Sequence, residues 1–180
     1  MYLGYICRQG LGETDRLMGE VAALLRAEGL VLAGALQLNR ALPGRARPAM
    51  DLLLLPDGPV LPISLDRGPA ALGCRLDTSA LEEASVVVAE RLPAADVLFV
   101  NKFGKQEADG HGMAGSVSEA LLAGKPVITG LADHFLEGFL RYAGGHAREL
   151  TGEAGEIAAW LLEGHRAAAA AASAAKAAAF

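Results

Sequence analysis

The chain has two cysteines, Cys7 and Cys74, in 180 residues. That is too few for a disulfide framework and points to a reducing compartment. Aromatic residues make up only 5%, so the core has to be built from Leu, Val and Ala rather than from rings. Basic residues are outnumbered, 16 Lys and Arg against 21 Asp and Glu, for a formal net charge of −5. This excludes general nucleic-acid binding as an expectation, because such binding needs a basic footprint. No apolar run approaches the roughly 20 residues of a membrane-spanning helix. Arg8, Glu13, Asp15 and Arg16 interrupt what would be the apolar core of a secretory signal. A cytoplasmic protein with no membrane partner is expected. The four histidines, His111, His134, His146 and His165, show no metal-ligand spacing, so no metal site is expected.

What is present is an alternation of short apolar runs and helical stretches. Tyr2–Cys7, Leu30–Leu38, Val97–Val100 and Pro126–Thr129 read as buried strands. Thr14–Glu28 carries Leu17, Val21, Leu24 and Leu25 at helical spacing and ends at Gly29. Asp51–Leu55 and Val60–Leu65 flank Pro56-Asp57-Gly58-Pro59, a strong turn signal that predicts an inserted hairpin. Asp77 or Thr78 can cap a helix that stops at Pro93, and further helices are expected over Met113–Ala123 and Asp133–Tyr142. Arg40–Pro48 reads as a basic loop flanking the site. The pattern predicts an α/β fold of three layers, a mostly parallel sheet with helices on both faces. Residues 1–150 form the domain, and residues 151–180 form a C-terminal helix with an alanine-rich tail. That tail either protrudes as a frayed helix or is disordered or held by a partner.

Two glycine turns carry the chemistry. Cys7-Arg8-Gln9-Gly10-Leu11-Gly12-Glu13-Thr14 follows a strand and opens a helix, as a phosphate-binding loop does. Gly10, Gly12 and Thr14 keep the backbone features of such a loop, but Glu13 stands where the loop lysine would be. A carboxylate about 4 Å from a phosphate charge costs on the order of 4 kcal/mol at an effective dielectric of 20. The helix dipole returns only about 0.3–1 kcal/mol. The plain alternative is a glycine-rich connection in which Glu13 and Asp15 stabilise the first helical turn. Cys7 lacks the arginine that a cysteine phosphatase would need at position 13, and Cys74 reads as a small packing residue.

The second turn, Asn101-Lys102-Phe103-Gly104-Lys105-Gln106-Glu107 running on to Gly110-His111-Gly112, is the more specific. Here Lys102 and Lys105 can hold an anion while Gly110 to Met113 supply N–H groups at a helix start. Alternatively, one of the lysines pairs with Glu13. His111 is the one histidine placed at a candidate site.

The stretch Asn101 through Gly112 resembles the Asn-Lys-Phe-Gly-Lys-x-Glu-Ala-x-Gly-x-Gly hallmark of a bacterial family recorded as a domain of unknown function. Gly73-Cys74-Arg75-Leu76-Asp77 and Gly144-Gly145 extend the resemblance over residues 1 to about 150. That family is similar, at a distance, to the P-loop nucleoside-triphosphatases whose second motif reads Asp-Glu-x-Gly-x-x-Glu. On this chain the two acids fall at Asn101 and Lys102, the glycine at Gly104 and the last Glu at Glu107. The resemblance implies a P-loop-type fold but not the hydrolase activity, because the residues that would hold Mg and phosphates are replaced. It also implies a molybdate connection, since members tend to be encoded near molybdate-uptake genes.

The expected function is a degenerate P-loop-like binding or regulatory protein for a nucleotide, phosphate or related oxyanion. The small anionic ligand would sit among Gly10, Gly12, Glu13, Thr14, Asn101, Lys102, Gly104, Lys105, Glu107, Gly110, His111 and Gly112. A triphosphatase with rearranged charges and an interaction protein with a vestigial site are the alternatives. A homo-oligomer or a protein partner stays open.

Overall fold

Short apolar runs bounded by glycine or proline become strands here, and amphipathic stretches behind a capping signal become helices. The computed structural model describes residues 1–44, 48–65 and 75–178. Gly73 and Cys74, residues 45–47 of the basic loop and the last two residues of the tail lie outside the described residues.

β1 (Leu3–Ile6) leads into α1 (Glu13–Ala27), which buries Leu17, Met18, Val21, Ala22 and Leu25. β2 (Leu32–Arg40) follows, then the hairpin of β3 (Ala49–Leu54) and β4 (Val60–Pro62). α2 (Thr78–Arg91) starts at Asp77, whose carboxylate accepts from the Ser79 and Ala80 N–H groups at 3.1 and 3.2 Å. A cap of this kind is worth about 1 kcal/mol. A 3₁₀ turn, Leu92–Ala94, contains Pro93 and ends the helix. β5 (Val97–Val100), α3 (Lys105–Ala108), α4 (Ala114–Leu122), β6 (Val127–Gly130), α5 (Leu136–Ala143), β7 (Ala147–Glu149) and α6 (Ala154–Ala178) complete the order.

Among the described residues, seven strands form one sheet in the order β4-β3-β2-β5-β6-β1-β7. The run from β2 to β7 is parallel, and β3 and β4 are antiparallel additions. Side chains alternate across it: Val97 and Phe99 of β5 pack with α1 and α6, while Leu98 and Val100 pack with α2, α4 and α5. The fold is therefore α/β, three-layered and mostly parallel, with the hairpin inserted. Both glycine turns leave the C-terminal ends of their strands, β1 and β5, on either side of β6, which is the edge where such sheets bind ligands.

Gly34 decides the shape of that edge. Its φ is +113°, and a Cβ there would lie 1.8 Å from the Phe99 carbonyl oxygen. Leu32 to Gly34 pair with β5, whereas Ala35 to Arg40 pair with β3. β2 thus turns away from β5 at Gly34, and a gap opens beside Asn101 and Lys102.

α6 buries Ile157, Ala158, Leu161 and Gly164 against α1 and β1. From Ala169 to Ala178 the helix continues with every residue exposed, so this part of the alanine-rich tail is a protruding helix. β7 and the single turn α3 have no counterpart in the sequence reading.

Gly34→Ala should cost more than about 4 kcal/mol of stability, the range reserved for severe defects. Urea unfolding checks this. A loss near 1 kcal/mol would show that β2 and β5 can move apart freely.

Candidate functional site

The first turn keeps the backbone of a phosphate loop. Gly10 and Gly12 have φ of 105° and 80°, values that side chains rarely tolerate. The buried Thr14 hydroxyl accepts from the Arg8 N–H at 3.2 Å and so closes the loop on itself. Arg8 then reaches across the sheet edge and donates to the Thr151 and Gly152 carbonyls. Among the described residues, no acceptor takes the N–H of Gly10, Leu11 or Gly12.

Carboxylates surround this cradle. Asp133, past the end of β6, accepts from the Cys7 thiol at 2.9 Å and from the Gln9 amide. Those two bonds hold its pKa below the usual value. Burial, with the bond to Asp133, pushes the Cys7 thiol up to about 11, so it stays a neutral donor. Glu13 does not reach the second turn. Its carboxylate lies 3.0 Å from Arg16, with both side chains about half exposed. The expected pair between Glu13 and Lys102 or Lys105 is thus replaced by local pairing on α1.

The lysine has a different partner. Lys102 Nζ lies 3.1 Å from the carboxylate of Asp15, which is 6% exposed and also accepts from Asn39 at 2.7 Å. The first helical turn of α1 and the end of β5 are therefore joined by charge, through Asp15. Lys105 pairs with Asp109 on its own turn.

Asn101 occupies the gap that Gly34 opens. Its Oδ1 accepts the Gln37 N–H and its Nδ2 donates to the Gln37 side chain at 3.2 Å. A side-chain amide thus takes over where the backbone ladder between β2 and β5 ends. This gives Asn101 a structural task that a carboxylate could not perform in full, because a carboxylate has no donor.

Glu107 is a buried brace. It is 4% exposed, and its oxygens accept from the Gly104 N–H at 2.9 Å and the Met113 N–H at 3.4 Å. Burial raises its pKa and those backbone donors oppose the rise. The N–H groups expected to receive an anion are already engaged. Gly110 donates to the Glu107 carbonyl, His111 to the Gln106 carbonyl, Gly112 to the Glu82 side chain and Met113 to Glu107. The stretch from Gly110 to Met113 is consequently a closed turn, and the exposed His111 side chain lies outside the cavity described next.

On the α2 side of β5 lies a cavity of about 380 Å³. Met50, Leu52, Leu81, Met113 and Phe135 supply its walls, and Asn101, Lys102, Gly104, Lys105 and Glu107 line it from the second turn. Gly10, Gly12, Glu13 and Thr14 do not line it. The site residues expected from the sequence therefore split between the first glycine turn and this cavity, bridged by Asp15, while Gly110, His111 and Gly112 belong to neither. Sequence reasoning missed Asp15, Gln37, Asn39 and Asp133 as parts of the site. Among the described residues, no group of three His, Cys, Asp or Glu side chains is arranged to hold a metal ion. No helix among them is long and apolar enough to cross a membrane.

Because burial raises the Glu107 pKa, the folded state keeps that proton to higher pH than the unfolded chain does. In that window the folded state binds more protons, so stability falls as pH rises from the unfolded value of about 4.3. Glu107→Gln, which cannot titrate, should show a shallower loss over the same rise in a series of urea unfolding curves. Parallel curves for the two proteins would contradict this.

Known proteins agree with the architecture. A human cancer-related nucleoside triphosphatase, solved in solution, superposes with a TM-score of 0.58 at 18% identity, covering 83% of this chain and 87% of that one. THEP1 from the hyperthermophile Aquifex aeolicus gives 0.56 at 12% identity over 83% and 88%. Identities this low establish the shared fold alone. The chain is 32% identical over 149 residues to the molybdenum import ATP-binding protein ModC 2 of Bradyrhizobium diazoefficiens. That stretch is 82% of this chain but 17% of the relative, so the chain spans under a fifth of its length. The pattern of a family described as protein of unknown function (DUF2478) matches residues 3–160, and the chain belongs to that family.

Proposed function

We propose that this chain binds a small anion, a nucleotide, phosphate or related oxyanion, on a P-loop-type frame, and that it does not hydrolyse nucleoside triphosphates. One observation carries the reading: a cation, Lys102, stands at the end of β5 where a triphosphatase has an acid, and among the described residues its charge partner is Asp15. A lysine is a point charge suited to phosphate-like groups, and an arriving anion would compete with the Asp15 carboxylate for it. Lys102 is 41% and Lys105 76% exposed, so both can be reached from solvent. The residues needed for Mg-assisted hydrolysis are replaced, by Glu13 in the loop and by Asn101 and Lys102 at the strand end. The likeness to a molybdenum import ATP-binding protein supports molybdate as one oxyanion to test, with the protein acting beside uptake as a sensor or binding module.

Thermal-shift titration with phosphate, molybdate, tungstate and ATP tests the binding, since a ligand that prefers the native state raises Tm. Lys102→Ala and Lys105→Ala should each weaken the effective anion by about 1.5–3 kcal/mol, the range for charged hydrogen bonds. Asp15→Asn should tighten it, and Glu13→Gln should leave it nearly unchanged. Equal affinities in all five proteins would refute the assignment.

The second expectation is catalytic. With Mg and ATP or GTP the protein should show no turnover above background. A rate of about 1 per second or more, lost in Lys102→Ala, would mean that the rearranged charges support catalysis.

A further inference from the structure

We infer that the ligand is an organic phosphate whose apolar body fills the cavity between the β2–β3 sheet surface and α2, with its phosphate at Lys102 and Lys105. This rests on the anion-binding reading above and adds what the rest of the ligand must be. The cavity measures about 380 Å³, while a water's share of liquid volume is about 30 Å³. A bare tetrahedral oxyanion at the lysines would leave most of that space unfilled.

The walls favour carbon. Met50, Leu52, Leu81 and Met113 present aliphatic and thioether surface, and Phe135 adds a ring beside Gly104. Three of the polar side chains that line the cavity are already matched. Asn101 and Gln37 bond each other twice, and Glu107 is taken by two backbone N–H groups. A sugar carrying several hydroxyls would find few partners among these residues, whereas an aromatic or branched aliphatic body would lose only water contacts. Charge is concentrated on the lysine turn, with Arg75 also lining the cavity while donating to the Pro48 carbonyl at 2.8 Å. Apolar walls with a few placed polar groups are the usual composition of a small-molecule site.

The methionines give a direct readout. Met50 and Met113 line the cavity, Met18 is buried in the opposite core under α1, and Met1 is 73% exposed. With methionine methyls labelled with carbon-13, the full-length protein is titrated with 1-naphthyl phosphate, inorganic phosphate and 1-naphthol. The expected result is binding of naphthyl phosphate at least tenfold tighter than phosphate, with the Met50 and Met113 methyl signals shifting and Met18 still. Leu81→Trp, which fills the cavity, should abolish the tenfold gain and leave phosphate binding intact. The wild-type methyl shifts decide the matter even if that variant does not fold.

Naphthyl phosphate binding no tighter than phosphate, or without movement of Met50 and Met113, overturns the inference and leaves the anion reading standing. Naphthol binding as tightly as naphthyl phosphate, with Lys102→Ala and Lys105→Ala unaffected, overturns both.

Discussion

The close approach of Gly34 to the Phe99 carbonyl is the constraint from which the site follows. A side chain at position 34 would occupy the space of the β5 backbone, so β2 can turn there only as glycine. After that turn, β2 pairs with β3 and the C-terminal end of β5 is left without a backbone neighbour on that side. Asn101 fills the first part of the gap with its amide, and the cavity occupies the rest. The inserted hairpin is what makes the cavity apolar, because Leu52 and Met50 are brought to its wall by the register of β3 against β2.

Charge is arranged around that opening in short pairs rather than as one field. Glu13 and Arg16 sit on the solvent side of α1, a pair worth about 0–1 kcal/mol. Asp15 and Lys102 are different, because the acid is almost wholly buried while the lysine reaches solvent. An acid in that setting needs its partner more than the partner needs it, since an unpaired buried charge is heavily penalised. The same asymmetry makes the lysine the group that an outside anion could share. At the first glycine turn the negative charge comes from within the chain, as Asp133 held on Cys7 and Gln9.

Most of the architecture was legible because its signals are local. Val97–Val100 is a continuous apolar run that only a strand buried on both faces explains, Asp77 is the N-cap in the fold and one of the two caps that the sequence offers beside Thr78, and Pro56–Pro59 marks the hairpin. β7 was not legible because Ala147–Glu149 is a short, polar edge strand with no alternation. The site was half legible. Lys102 and the glycine turns could be read as chemistry, but their partners depend on how α1 is rotated. At about 100° per residue, Asp15 points roughly 200° away from Glu13, toward β5 and Asn39 instead of solvent. Position 13 draws attention because a phosphate loop has its lysine there, yet position 15 faces the lysine of the second turn. The hydrogen bonds that close Gly110–Met113 were equally invisible, since Glu82 comes from α2, 30 residues away.

Anomalous diffraction from crystals soaked in tungstate tests the central claim most directly, because tungsten marks the anion's place without assumptions about its chemistry. The account predicts a peak within bonding distance of Lys102, with the Asp15 carboxylate drawn away from the ammonium group. A peak held by the N–H groups of Gly10 to Gly12, with the Lys102–Asp15 pair intact, would contradict it and return the anion to the phosphate loop.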